Sequence, residues 1–97
     1  MKIEEDLVKE VYMLLHPMRY KIIALLNEKP IHINEISKAL NEERRLVSYH
    51  LRTLEEHGFL SSKYEISEQP KSKGKAIRKY MVTGKVKEVI SEFLKRL

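Results

Sequence analysis

The 97-residue chain contains no cysteine. That absence excludes a disulfide framework and any thiolate metal site. Tryptophan is also absent and phenylalanine occurs only twice, so the core has to be assembled from Leu, Ile and Val. No apolar run approaches the roughly 20 residues that a membrane-spanning helix needs. Residues 1–9 are charged, and no apolar segment of the signal-peptide kind follows them. The expectation is a soluble, cytoplasmic protein with no membrane partner. Motifs that carry chemistry are missing as well. There is no Gly-rich phosphate loop and no nucleophile elbow. Ser48, Tyr49 and His50 are neighbours on a helix, point in different directions and cannot converge as a triad. His16, His32, His50 and His57 lack zinc-type spacing. No enzyme activity and no cofactor are expected.

What is present is a globular composition, 42% hydrophobic and 34% charged. A core this small often gains stability from a partner subunit. The net charge of +5 is unevenly placed. Residues 1–60 are nearly balanced, at −1. Residues 61–85 set Lys63, Lys71, Lys73, Lys75, Arg78, Lys79 and Lys85 against Glu65 and Glu68, a balance of +5. A localised basic segment favours a polyanionic partner over a uniformly solvated surface.

Hydrophobic periodicity divides the chain into elements. Ile3, Leu7, Val11 and Leu14 follow helical spacing over about 3–15, with Val8, Tyr12 and Leu15 widening the apolar stripe. Pro17 ends that helix and suits the first position of the next. Ile22, Ile23, Leu25 and Leu26 give the second helix its buried face. A very short strand at 31–33 precedes a third helix over 35–40, with Ile36, Ala39 and Leu40 inward and Asn41 as a left-handed cap. A fourth helix over 43–56 turns Val47, Leu51 and Leu54 inward and stops at Gly58. The period then changes to two, over 59–67 and 76–83, around a long Pro- and Gly-containing tip. Val86, Val89, Ile90, Phe93, Leu94 and Leu97 trace a last helix over about 85–97. There is no internal repeat or linker, so 1–97 reads as a single domain. Two short helices joined by a tight turn and followed by a basic hairpin make a mainly α winged helix-turn-helix.

The fourth helix carries the candidate contacts. Opposite its inward face, near its N-terminus, lie Arg44, Arg45, Ser48, Tyr49 and Arg52. A helix fits the major groove, where Arg pairs with guanine and Ser or Tyr with phosphate or base. Two arginines at a helix start oppose the dipole, which a purely structural surface would avoid. Lys71, Lys73 and Lys75 at the hairpin tip suit phosphate contacts, although lysines also protect sheet edges. The histidines read as structural. His16 helps cap the second helix, and His32 lies in the short strand or caps the third helix. His50 packs beside the polar face or donates to a backbone group, and His57 sits at the end of the fourth helix.

Residues 15–23 (Leu15-His16-Pro17-Met18-Arg19-Tyr20-Lys21-Ile22-Ile23) and 47–60 (from Val47-Ser48-Tyr49-His50-Leu51-Arg52 to Gly58-Phe59-Leu60) resemble the second helix and recognition helix of ArsR-type winged-helix regulators. Lys79-Tyr80-Met81-Val82-Thr83 is similar to the family's second wing strand. The resemblance covers about residues 10–85. It implies a homodimer joined through the first and last helices, DNA contacts from the recognition helix, and an operator of two inverted half-sites. The interface would draw on Leu7, Val11, Val86, Val89, Ile90, Phe93, Leu94 and Leu97. Departures are plain. Glu42 replaces a usual apolar residue, Glu43 a usual Ser or Thr cap, and Arg44-Arg45 is unusually basic. Many members sense metal through a Cys motif on the recognition helix, others through Asp and His on the last helix. Residues 84–97 hold Glu88 and Glu92 but neither Asp nor His. No metal sensing is expected.

The leading expectation is a homodimeric, sequence-specific regulator of double-stranded DNA, acting as a repressor. The alternative is a winged-helix protein-interaction module in a transcription or chromosome assembly, which Leu46 in an exposed register would serve. RNA binding lacks the aromatic platform typical of single-strand readers.

Overall fold

A computed structural model describes residues 5–97. In chain order it contains α1 (Glu5–Leu14), α2 (Pro17–Glu28), β1 (Ile31–His32), α3 (Ile33–Leu40), α4 (Arg44–Glu56), β2 (Leu60–Ile66), β3 (Ala76–Val82) and α5 (Lys85–Lys95). Ile3, expected in the first helix, lies outside the described residues. The strands form an antiparallel sheet in the order β1-β3-β2. Ser62 lies opposite Tyr80 and Tyr64 opposite Arg78 in the hairpin, while β1 pairs Ile31 with Tyr80 and His32 with Lys79. This is a winged helix-turn-helix: α3 and α4 form the helix pair, and β2–β3 the wing.

Local chemistry sets the boundaries. His16 caps α2, its Nδ1 accepting the Met18 N–H at 3.1 Å. His32 does the same for α3, accepting from the Asn34 N–H at 3.3 Å. That cap moves the start of α3 to Ile33, two residues before the expected one, so His32 both pairs in the strand and caps the helix. Asn41 takes the left-handed conformation at φ 52° and returns its N–H to the carbonyls of Ser37 and Lys38. Gly58, at φ 81°, carries the chain from α4 into the wing, a geometry that disfavours side chains with a Cβ. His57 closes α4 by donating from Nδ1 to the Thr53 carbonyl at 2.8 Å.

The core is aliphatic, with one aromatic at its centre. Phe59, Ile22, Ile36, Leu51, Leu54 and Val47 are its largest fully enclosed side chains. It joins α2, α3, α4 and the base of the wing, and α5 packs across α1 at one side. Lys85 ties that side together: its Nζ meets Glu10 Oε2 at 2.6 Å, donates to the His57 carbonyl at 2.7 Å and sits over the Phe59 ring. One inward assignment needs correction. Ala39 is exposed, while Leu25 and Leu40 pack half-buried against the core. The helix face that reaches the core is narrower than the apolar stripe, and a methyl group can face water at little cost.

Leu51→Ala should therefore cost roughly 2–5 kcal/mol, since it leaves a cavity in a fully closed site. Leu46→Ala, on the same helix but 41% exposed, should stay within about 0.5 kcal/mol. Urea unfolding of both variants at one protein concentration checks the contrast.

Candidate nucleic-acid interface

Packing fixes which side of α4 is presented to solvent. Val47, His50, Leu51 and Leu54 are buried. At 3.6 residues per turn, Arg45, Tyr49 and Arg52 fall on the opposite face, one above the other, and all three are exposed. Arg44 and Ser48 occupy the flank turned toward the wing. There they line a cleft of about 420 Å³ with Asn34, Tyr64, Gln69, Arg78 and other residues of α3 and the hairpin. Glu43 sits at the cap position in extended geometry and makes no side-chain cap bond. The first turn of α4 thus couples unsatisfied N–H groups with two arginines, an arrangement that suits an anion.

The wing tip is built by serines. Ser67, almost completely buried, bonds the Ser72 hydroxyl at 2.6 Å and accepts the Gln69 N–H at 3.2 Å. Its backbone bonds Lys75 and Gly74, whose φ of 84° completes the turn. Lys71, Lys73 and Lys75 project from this frame and are exposed.

Ion pairing sorts the cations of the basic segment. Lys63 and Lys79 share Glu65, at 3.7 and 3.2 Å. Arg78 pairs with Glu55, and Lys85 with Glu10. Lys71, Lys73 and Lys75 pair with no acid among the described residues, and neither do Arg44, Arg45 and Arg52. The uncompensated charge is therefore narrower than the sequence count. Within the wing it is confined to the tip, and the outer face of α4 adds three further cations without an acid among the described residues.

His50 has a role the sequence did not reveal. Its Nδ1 accepts from Arg19 Nε at 3.1 Å, and Arg19 Nη1 also donates to the Met13 carbonyl at 3.3 Å. The His50 ring lies 4.5 Å from that of His16 and meets Tyr49 edge-on. Burial, reinforced by His16 and Arg19, lowers its pKa below the ordinary 6.5. The imidazole is neutral at physiological pH, accepting at Nδ1 and carrying its proton on Nε2. Arg19 had only its place beside Pro17 to mark it.

Residues 16–62 match the family model for bacterial regulatory proteins of the arsR family. The helix-turn-helix region is similar to the ArsR family. An uncharacterized HTH-type transcriptional regulator of Methanocaldococcus jannaschii, MJ0229, is 40% identical over 57 residues, which is 59% of this chain and 60% of that protein. The match thus spans less than two thirds of that relative. Among solved structures, diamide-treated YodB from B. subtilis superposes with a TM-score of 0.77 at 16% identity, over 99% of this chain and 90% of that one. The transcriptional repressor BigR from Xylella fastidiosa gives 0.70 at 20% identity, over 93% and 82%. The matched family is one of regulatory proteins.

Within this winged-helix fold, the eight residues expected at a subunit interface divide by burial. Val11 and Val89 are already buried inside the single chain, and Leu7 and Phe93 pack half-buried against its core. Leu94 and Leu97 are exposed, and Val86, Ile90 and Leu94 line an open groove on α5. Val8 and Tyr12 on α1, with Leu15 just past its end, add a second exposed apolar stripe. Among the described residues, no cluster of three His, Cys, Asp or Glu side chains could hold a metal ion, and no helix is long and apolar enough to cross a membrane.

The depressed pKa of His50 has a consequence for folding. Between the ordinary value of 6.5 and the lower folded value, the unfolded chain binds more protons than the native one. Stability should therefore fall as pH drops through 6.5 and level off below the folded value. His50→Gln, which keeps an acceptor for Arg19, should lack this component. Urea midpoints measured across that range, for both proteins, check it.

Proposed function

We propose that the protein is a cytoplasmic transcriptional regulator that binds double-stranded DNA in a sequence-specific way, as a homodimer and as a repressor. The observation that carries the DNA reading is the coincidence of unpaired cations with the two elements able to reach a duplex. Arg44, Arg45 and Arg52 flank Ser48 and Tyr49 on α4, and Lys71, Lys73 and Lys75 crown the wing. The helix enters the major groove with its N-terminal half, and the wing lies along the phosphates. The match of the helix-turn-helix region to the ArsR family model supports the regulatory role. Repression is the role named for the BigR fold neighbour, and it is proposed here on that likeness.

The homodimer rests on the exposed apolar surface of α1 and α5. Leu94 is 61% exposed and Tyr12 78% in the single chain, on two helices that pack against each other, and a partner subunit would cover both. A two-fold pairing of these helices would set two α4 helices against successive major grooves. The second reading, a protein-interaction module, keeps one observation in its favour: Leu46, 41% exposed on α4.

Wing and helix should fail differently on mutation. Lys73→Ala should weaken binding to all duplexes alike and shrink the log–log salt slope by about 1 per subunit. Arg45→Ala should cost roughly 1–3 kcal/mol per half-site on the preferred operator and much less on random DNA. Selection from a random oligonucleotide pool, run on the parent and each variant, measures both. An unchanged selected site across Arg44, Arg45, Ser48 and Tyr49 variants would favour the interaction module.

The dimer makes its own prediction. Leu94→Glu should give a folded monomer by sedimentation at micromolar concentration, because Leu94 is exposed in the single chain. Phe93→Asp should instead unfold the protein, since Phe93 packs on the core.

A further inference from the structure

One cluster of charged and aromatic side chains bridges the two proposed DNA-contacting elements, α4 and the wing. Glu55, near the end of α4, pairs with the Arg78 guanidinium on β3 and accepts a hydrogen bond from the Ser62 hydroxyl on β2. Arg78 Nε donates to the same hydroxyl at 2.8 Å. The guanidinium is packed against two tyrosines of the hairpin, 5.9 Å from the Tyr64 ring centre and 5.1 Å from that of Tyr80. Three elements are thus joined by one carboxylate and one guanidinium, in the directional, multi-bond geometry that Arg provides and Lys does not.

Its position in the hairpin gives the cluster its leverage. The backbone pairing of β1 with β3 ends at His32 and Lys79. Arg78 is the next residue toward the tip. Beyond it, the hydrogen bonds of the wing, such as Ser67–Ser72, stay within the hairpin among the described residues. The cleft of about 420 Å³ opens on this outer side, between Asn34 and Arg44 on the body and Gln69 and Ser72 on the wing. The wing is a lever that leaves the body at this point, and the pair with Glu55 is its outermost side-chain tie to α4.

We propose that Glu55, Ser62 and Arg78 form a clamp that fixes the angle of the wing to the reading helix. Glu55 and Arg78 are then positioning residues for DNA binding. The part of this that concerns DNA rests on the reading of α4 and the wing given above. The clamp sets the spacing between Arg45 on the helix and Lys73 on the wing, so that both meet one duplex without a further ordering cost. An acidic side chain close to a polyanion is otherwise unfavourable, and its loss by itself would strengthen binding.

That opposition gives the test its sign. Glu55→Gln should weaken operator binding roughly fivefold, the scale of a part-exposed charge-assisted pair, although it removes a negative charge. Lys73→Ala should then cost less in the Glu55→Gln background than in the parent. Binding as tight as the parent's or tighter, or additive losses, overturns the positioning role. The clamp is also tested without DNA. Ala24→Cys on α2 and Glu68→Cys on the wing place two spin labels in an otherwise cysteine-free chain. The distance distribution between them should be narrow in the parent background and broader with either Glu55→Gln or Arg78→Lys, which keeps the charge but loses the fork. Distributions of unchanged width overturn the clamp. A parent protein that binds no duplex DNA overturns the DNA reading, and the label distances still decide the clamp.

Discussion

Burial of one face of α4 is the constraint on which the other features hang. Val47, Leu51 and Leu54 are fully enclosed, and each contributes on the order of 1.5–3 kcal/mol by leaving water. A helix held by one face has no rotational freedom, so the residues half a turn away are forced outward whatever their chemistry. Here they are Arg45, Tyr49 and Arg52. The same rotation carries Arg44, Ser48 and Glu55 to the wing side and Leu46 to the other flank. The exposed chemistry of α4 is thus a geometrical result of its apolar spacing.

Charge pairing then decides which cations remain available. Surface pairs contribute little stability, but they lower the local potential by neutralising a charge. Glu65 absorbs Lys63 and Lys79, and Glu10 absorbs Lys85. Among the cations left without acids are those along α4 and at the wing tip, where a cylinder of phosphates would meet both. Spreading the charge over the whole hairpin would have raised non-specific attraction without directing it.

The fold was legible because its signals are periodic and local. Spacings of three and four marked the helices, alternation marked the strands, and Pro17, Asn41 and Gly58 marked the breaks. The candidate DNA residues were legible for the same reason, since a face opposite Val47, Leu51 and Leu54 follows from helix geometry alone. What stayed hidden depends on partners far apart in the chain. Arg78 counted as one more free cation until Glu55, 23 residues away, was seen against it. Ser67 carried no sign of being the buried bracket of the wing tip. His50 read as a border residue because its partner, Arg19, is 31 positions earlier. The interface residues were mixed for a related reason: an apolar stripe does not say which of its members the chain itself will cover, and Val11 and Val89 proved to be among those.

Arg19 shows how such distant pairs connect the two surfaces of the molecule. One nitrogen of its guanidinium holds the Met13 carbonyl near the end of α1, and another holds His50 on α4. The end of a helix from the apolar α1–α5 layer and the inner side of α4 are therefore fixed to one planar group. A guanidinium keeps its donors at fixed angles, so a shift of α1 must either carry α4 with it or break a bond to a buried imidazole. Breaking it would leave His50 Nδ1 without a donor in a site that excludes water, a cost that an exposed pair would not face. The helix-turn-helix and the α1–α5 layer are thus joined more stiffly than the short turn at His16 alone would hold them. Half-site spacing in a dimer built on that layer would be set by packing and by this one side chain together.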